Sequence, residues 1–199
     1  MIIYGLPLQA GDHVLYSKND YPFARNSWEN RAARDGIELS EVNYELPCSD
    51  ETILLAYEKA MTSRVKIVYC THITHAQGNI LPIKALAKLA HQNEAQIVVD
   101  GAHSVGQIAL DLADVDCDYF ATSLHKWLNA PHGTGLLFVK EALISSLYNH
   151  PSSYPTSFDK INKFEHLGTR AFQQEVGVSA ALDFHEAIGP TAKFERLQE

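Results

Sequence analysis

The sequence predicts an α/β fold, a mainly parallel sheet with helices on both faces. Short apolar runs alternate with longer stretches whose apolar residues recur every three or four positions, the rhythm of strand–helix–strand units. The runs are rich in β-branched and aromatic residues, which suit a buried pleated backbone. At 199 residues the chain fits one domain, long enough to bury roughly 70% of its unfolded surface.

In chain order, residues 13–16 and 37–42 read as strands, with a helix through 28–34 between them. Residues 51–61 read as a helix introduced by the cap candidates Ser49 and Asp50. Residues 66–70, Lys-Ile-Val-Tyr-Cys, form a strand. The clearest helix follows: Pro82 suits a first turn, and Ile83, Leu86, Ala87 and Ala90 share one face. Residues 96–99 make a buried strand ending at Asp100, and 118–122 and 136–139 make two more. The Pro/Ser/Tyr-rich stretch 149–158 reads as a surface loop. A last amphipathic helix spans Phe172–Ile188, stopped by Gly189-Pro190. Residues 1–189 are therefore assigned to one large domain. Residues 190–199 are expected to begin a helix leading into a further, C-terminal domain.

Charge narrows the partners. The net charge of −8 is spread along the chain, whereas nucleic-acid binding draws on clustered Lys and Arg. A small anionic ligand stays compatible, since a local pocket can be positive on an acidic protein. No apolar run approaches the roughly 20 residues of a membrane span, and no signal peptide is visible. Cys48, Cys70 and Cys117 have neither metal-type nor redox-type spacing, and read as reduced thiols of a cytoplasmic protein. The chain opens directly on an apolar stretch and closes inside a helical pattern. It is expected to be an incomplete piece of a longer protein.

In open parallel sheets ligands bind beyond the carboxyl ends of the strands. Those ends carry Asp20 and Tyr21; Thr71, His72 and His75; Asp100 and His103; and Ser123, His125 and Lys126. An acid, several imidazoles, a hydroxyl, a phenol and an amine thus gather on one edge. A metal site from His72, His75, His103 and His125 is a rival reading, but no pair has the i, i+4 spacing of a helical ligand pair.

Val99-Asp100-Gly101-Ala102-His103-Ser104 followed by Ser123-Leu124-His125-Lys126-Trp127-Leu128 resembles the cofactor signature of class V aminotransferase-like enzymes, which use pyridoxal 5′-phosphate (PLP). Gly11-Asp12-His13-Val14, residues 78–82, Pro131-His132-Gly133-Thr134-Gly135 and Gly168-Thr169-Arg170 agree with it in register. The Lys-Trp-Leu and Pro-x-Gly-Thr-Gly wording is most similar to isopenicillin N epimerase-like members.

The resemblance implies a fold-type-I PLP enzyme acting on an amino acid, with epimerase, lyase, desulfurase and aminotransferase chemistries all open. It implies that Lys126 forms the aldimine and then serves as base at the substrate α-carbon, and that Asp100 holds the pyridinium nitrogen protonated. At about 4 Å such a pair is worth roughly 4 kcal/mol at an effective dielectric of 20. By the same likeness Tyr21 stacks on the ring, His103 bonds the ring oxygen, and Ser123 and His125 contact the phosphate. Thr169 reaches the phosphate of a neighbouring subunit, which requires a homodimer. His75 stands where desulfurases carry Asn, a departure that weakens a desulfurase reading. Relatives carry a phosphate turn ahead of the segment matching Met1, and a substrate arginine beyond Glu199. The alternative is accordingly a truncated, non-catalytic remnant of the fold, and PLP binding by these 199 residues alone is expected to be weak.

Overall fold

The computed structural model describes residues 1–149, 159–165, 168–169 and 171–198. The apolar runs become β1 (His13–Ser17), β2 (Glu38–Val42), β3 (Val65–Thr71), β4 (Gln96–Asp100), β5 (Tyr119–Ser123) and β6 (Gly135–Val139). They form one sheet in the order β2-β1-β3-β4-β5-β6. Every neighbouring pair is parallel except β5 and β6, which are antiparallel. The connection over residues 124–134 contains no helix, and a parallel return requires a longer crossover.

The intervening segments supply α1 (Ile2–Gly5), α2 (Pro22–Asp35), α3 (Asp50–Ala60), α4 (Ile83–Gln92), α5 (Leu112–Val115), α6 (Glu141–Ile144), α7 (Phe172–Ile188) and α8 (Pro190–Gln198). Ser49 caps α3, its hydroxyl accepting from Thr52 N at 3.2 Å. Pro82 stands one residue before α4, at the cap rather than in the first turn. Gly189, at φ +90°, ends α7, but Pro190 starts α8 at once, so the Gly-Pro pair is a break between two helices. The stretch read as a surface loop lies outside the described residues from position 150 onward.

Alternate residues of the central strands point to opposite faces, and both faces are covered. Leu15, Val68, Cys70, Ile97, Val99 and Phe120 pack with Ile53, Tyr57, Leu86 and Ala87 of α3 and α4. Val14, Tyr16, Ile67, Tyr69, Val98 and Tyr119 pack on the other side with Ile2, Trp28 and Ile144. Trp28, Tyr57, Tyr119 and Phe120 are fully buried; such burial stabilises by roughly 1.5–3 kcal/mol per large apolar side chain. In contrast, α7 leaves Phe172, Val176, Leu182, Phe184 and Ile188 exposed, and buries Ala181 against Leu124, Leu128 and Ala130. Among the described residues no helix is long and apolar enough to cross a membrane. All three cysteines are free, Cys70 and Cys117 buried and Cys48 half-buried.

Candidate active site

Five parallel strands, β1 to β5, end on the same edge of the sheet, and the strand order reverses between β1 and β3. That reversal opens a crevice. A cleft of about 600 Å³ lies on this edge over the ends of β3, β4 and β5, lined by Tyr21, His75, Asp100, His103, Ser123, His125 and Lys126, together with Ser27, Tyr69 and the first residues of the chain. This volume is in the range of small-molecule sites, roughly 300–1,000 Å³. Thr169 is exposed and is not among the lining residues.

Asp100 is aimed by two donors. Its Oδ1 accepts from Ala102 N at 3.0 Å and its Oδ2 from the Tyr69 hydroxyl at 3.0 Å. A carboxylate offers about four lone-pair positions, so acceptor capacity remains for a ligand. Burial raises the Tyr69 phenol well above its ordinary value, with Asp100 adding to it, so Tyr69 stays a donor. The backbone beside Asp100 is tight: a Cβ on Gly101 would fall 2.0 Å from Phe120 Cζ. Glycine there lets β4 and β5 close while Gly101 N bonds Ala121 O at 2.8 Å.

Lys126 sits in the turn leaving β5, clamped by the segment before β6. Leu124 N donates to Thr134 O at 3.1 Å and Ala130 N to Leu124 O at 3.1 Å. His125 Nδ1 is 3.1 Å from the same Thr134 carbonyl, so that nitrogen carries its proton. Asn129 takes φ +61° and lets the chain reverse. Lys193 Nζ, from α8, bonds the Trp127 carbonyl. Held in this way, Lys126 Nζ comes 3.2 Å from His103 Nε2, while Trp127 Nε1 donates to His103 Nδ1 at 3.0 Å. Burial lowers the His103 pKa and the nearby lysine lowers it further, against an opposing pull from Asp100.

Tyr21 caps α2 at the mouth of the cleft, with its ring edge-on to His75 at 5.3 Å and 77°. Asp20, its sequence neighbour, turns inward instead. Its two oxygens accept from Ser17 N and Thr71 N at 2.7 Å each, joining the ends of β1 and β3. Burial pushes its pKa up to about 7 against these hydrogen bonds. His72 is likewise buried, with Nδ1 2.8 Å from Ser104 Oγ, and its pKa is lowered by burial to about 4. Among the described residues no group of three or more His, Cys, Asp or Glu is placed to hold a metal ion. Sequence reading missed the site roles of Tyr69 and Trp127. Trp127 was visible within the Lys-Trp-Leu wording, whereas Tyr69 reads as one more strand aromatic.

Residues 1–199 match the family described as aminotransferase class-V. The chain is 32% identical to isopenicillin N epimerase of Streptomyces clavuligerus over 216 residues, covering all of this chain and 54% of the relative. It is 31% identical to a cysteine desulfurase of Synechococcus elongatus, covering 92% of this chain and 30% of that protein. The solved complex of the cystine C-S lyase C-DES with its reaction product cysteine persulfide has TM-score 0.87 at 24% identity, over 98% of this chain and 55% of that one. A variant of C-DES with glycine covalently linked to its PLP cofactor has TM-score 0.83 at 21% identity, over 98% and 54%. These likenesses show a shared fold. The chain spans about half the length of the epimerases it matches. Matched along its whole length, the chain belongs to the aminotransferase class-V family.

Proposed function

We propose that this chain forms the cofactor-binding part of a PLP-dependent enzyme that labilises a bond at the α-carbon of an amino acid. The observation that carries the reading is the convergence of Lys126, Asp100, His103, Ser123 and His125 on one cleft of small-molecule size. These groups fit the cofactor's chemistry. Lys126 is a primary amine for its aldehyde, and Asp100 is an oriented carboxylate for the ring nitrogen. Ser123 is a donor for the phosphate, as is His125 when its Nε2 also carries a proton, and the face of Tyr21 is apolar surface for the ring. When bound, PLP supplies an electron sink for the carbanion left at the α-carbon.

The chain's own residues do the rest. Asp100, aimed by Tyr69 and Ala102 N, would be the residue that holds the ring nitrogen. Lys126, on its clamped turn, is the proton carrier at the α-carbon. His75, at the cleft mouth beside Tyr21, joins the cofactor contacts. We assign Thr169 to the phosphate site of a second copy in a homodimer, which accords with its exposed position outside its own cleft. Residues 1–189 are the large domain, and α8 leads from it into a C-terminal domain. The test is α-proton exchange. The protein carrying this chain is supplied with PLP and a panel of L- and D-amino acids in D₂O, and the α-proton signal is followed by NMR. Loss of that signal for at least one amino acid is expected, and its abolition in Lys126→Ala. A protein that binds PLP yet exchanges no α-proton overturns the reading.

A further inference from the structure

We infer that Trp127 is a positioning residue whose indole N–H locks His103 in the tautomer protonated on Nε2, making His103 a fixed hydrogen-bond donor into the cleft that would hold the cofactor. The inference rests on the proposed cofactor site but begins from a contact that needs no cofactor. Indole nitrogen is a donor only. At 3.0 Å from His103 Nδ1 it requires a lone pair on that nitrogen, and a neutral imidazole then carries its one proton on Nε2. A charged imidazolium would set two N–H groups against each other across the same gap.

The groups facing His103 are Lys126, Asp100 and His75. Burial and Lys126 lower the pKa of His103, in the same direction as the indole contact, and Asp100 opposes them. The main chain that carries the indole is held from two sides. A Cβ on Gly106, which takes φ +80°, would lie 2.9 Å from the Trp127 carbonyl carbon, and Lys193 Nζ bonds the carbonyl oxygen. The main chain at Trp127 is thereby fixed, and from it the indole N–H reaches His103 Nδ1 at 3.0 Å.

The Nε2–H of His103 points at Lys126 Nζ, 3.2 Å away. A hydrogen bond between them needs the amine to accept, which an ammonium with three N–H groups and no lone pair cannot do. The Nε2–H is thereby left for an acceptor other than an ammonium. With the amine engaged elsewhere, the same N–H is available to an oxygen acceptor on the ring. Phenylalanine at position 127 would fill similar space without setting a tautomer.

The experiment is ¹⁵N NMR of histidine-labelled protein without PLP, with the His103 signals assigned by their loss in His103→Gln. Wild type is expected to show a lone-pair-type Nδ1 and a protonated Nε2. Trp127→Phe is expected to give mixed tautomers and to raise the His103 titration midpoint by about half to one pH unit, the scale of one neutral hydrogen bond. Gln at position 103 donates whatever its neighbour. Trp127→Phe should therefore shift the pH midpoint of the cofactor absorbance in the His103 protein but not in the His103→Gln protein. A packing role alone would lower the melting temperature in both backgrounds and leave the tautomer unchanged. A wild-type His103 protonated on Nδ1, or a tautomer indifferent to Trp127→Phe, overturns the inference. The wild-type spectrum decides the first point even if a variant fails to fold. The expected tautomer in a protein that takes up no PLP would instead refute the proposed function.

Discussion

Gly101→Ala tests whether the route from sequence to site runs through the closure of β4 on β5. An ideal Cβ at this position falls 2.0 Å from Phe120 Cζ and 2.2 Å from Cε2, where ordinary contact begins at 3.4 Å. The ring has no open space to enter, because Phe120 is fully buried among Val99, Ile97 and Cys117. Overpacking of a dense core costs about 1–3 kcal/mol, and this site belongs at the upper end. For a chain of this size, about 3 kcal/mol corresponds to roughly 6–12 °C in Tm. The same shift would tilt the exit of β4, where Asp100 receives Ala102 N and the Tyr69 hydroxyl. Cofactor affinity should fall with stability. Urea unfolding of the parent, Gly101→Ala, Phe120→Leu and the double variant gives the cycle. Phe120→Leu removes the clashing ring edge, so the double variant should be more stable than the sum of the singles by about 1–2 kcal/mol. A Gly101→Ala protein within about 0.5 kcal/mol of the parent, or strict additivity, would refute the reasoning.

Two further predictions follow from the same geometry. Asp100→Asn keeps the shape but removes the charge, and turnover should fall by on the order of 10²-fold or more while PLP binding suffers less; steady-state kinetics beside a PLP titration check the split. His72 is buried neutral with its pKa lowered to about 4, so its stabilisation is complete above the ordinary value of 6.5 and is lost as pH falls towards 4. That loss amounts to on the order of 3 kcal/mol. His72→Asn should flatten the fall in unfolding free energy between pH 6.5 and 4, read as the difference from the parent in urea titrations. Asp20 works in the opposite sense: with its pKa raised to about 7, its contribution is complete below 3.8 and is lost as pH rises through about 7. The difference between variant and parent cancels it.

The edge that carries the candidate site was legible because the strands that feed it end in chemically conspicuous residues. An apolar run closing on Asp100, and another closing on Ser123 ahead of His125 and Lys126, can be read without coordinates. The direction of β6 could not be read in this way, because residues 136–139 form the same apolar run whichever way they travel. Tyr69 escaped for a different reason. Its phenol reaches Asp100 from the adjacent strand, and that meeting depends on the register pairing Thr71 with Asp100. Asp20 stood in the list of strand-end residues, yet two backbone N–H groups draw it inward. Periodicity gave α7 an apolar stripe, but nothing in a periodic pattern says what will cover it. Thr169 belongs to another class, since its assigned partner lies in a second copy of the chain.

The central claim is that Lys126 is the residue to which the cofactor attaches. The direct measurement is to load the protein carrying this chain with PLP, reduce it with borohydride, digest it, and locate the modified lysine by mass spectrometry. The account predicts a single reduced adduct, on the peptide containing Ser123-Leu124-His125-Lys126-Trp127, and none in Lys126→Ala. An adduct on Lys163, Lys193 or any other lysine, or no covalent adduct at all in a protein that binds PLP, would contradict it.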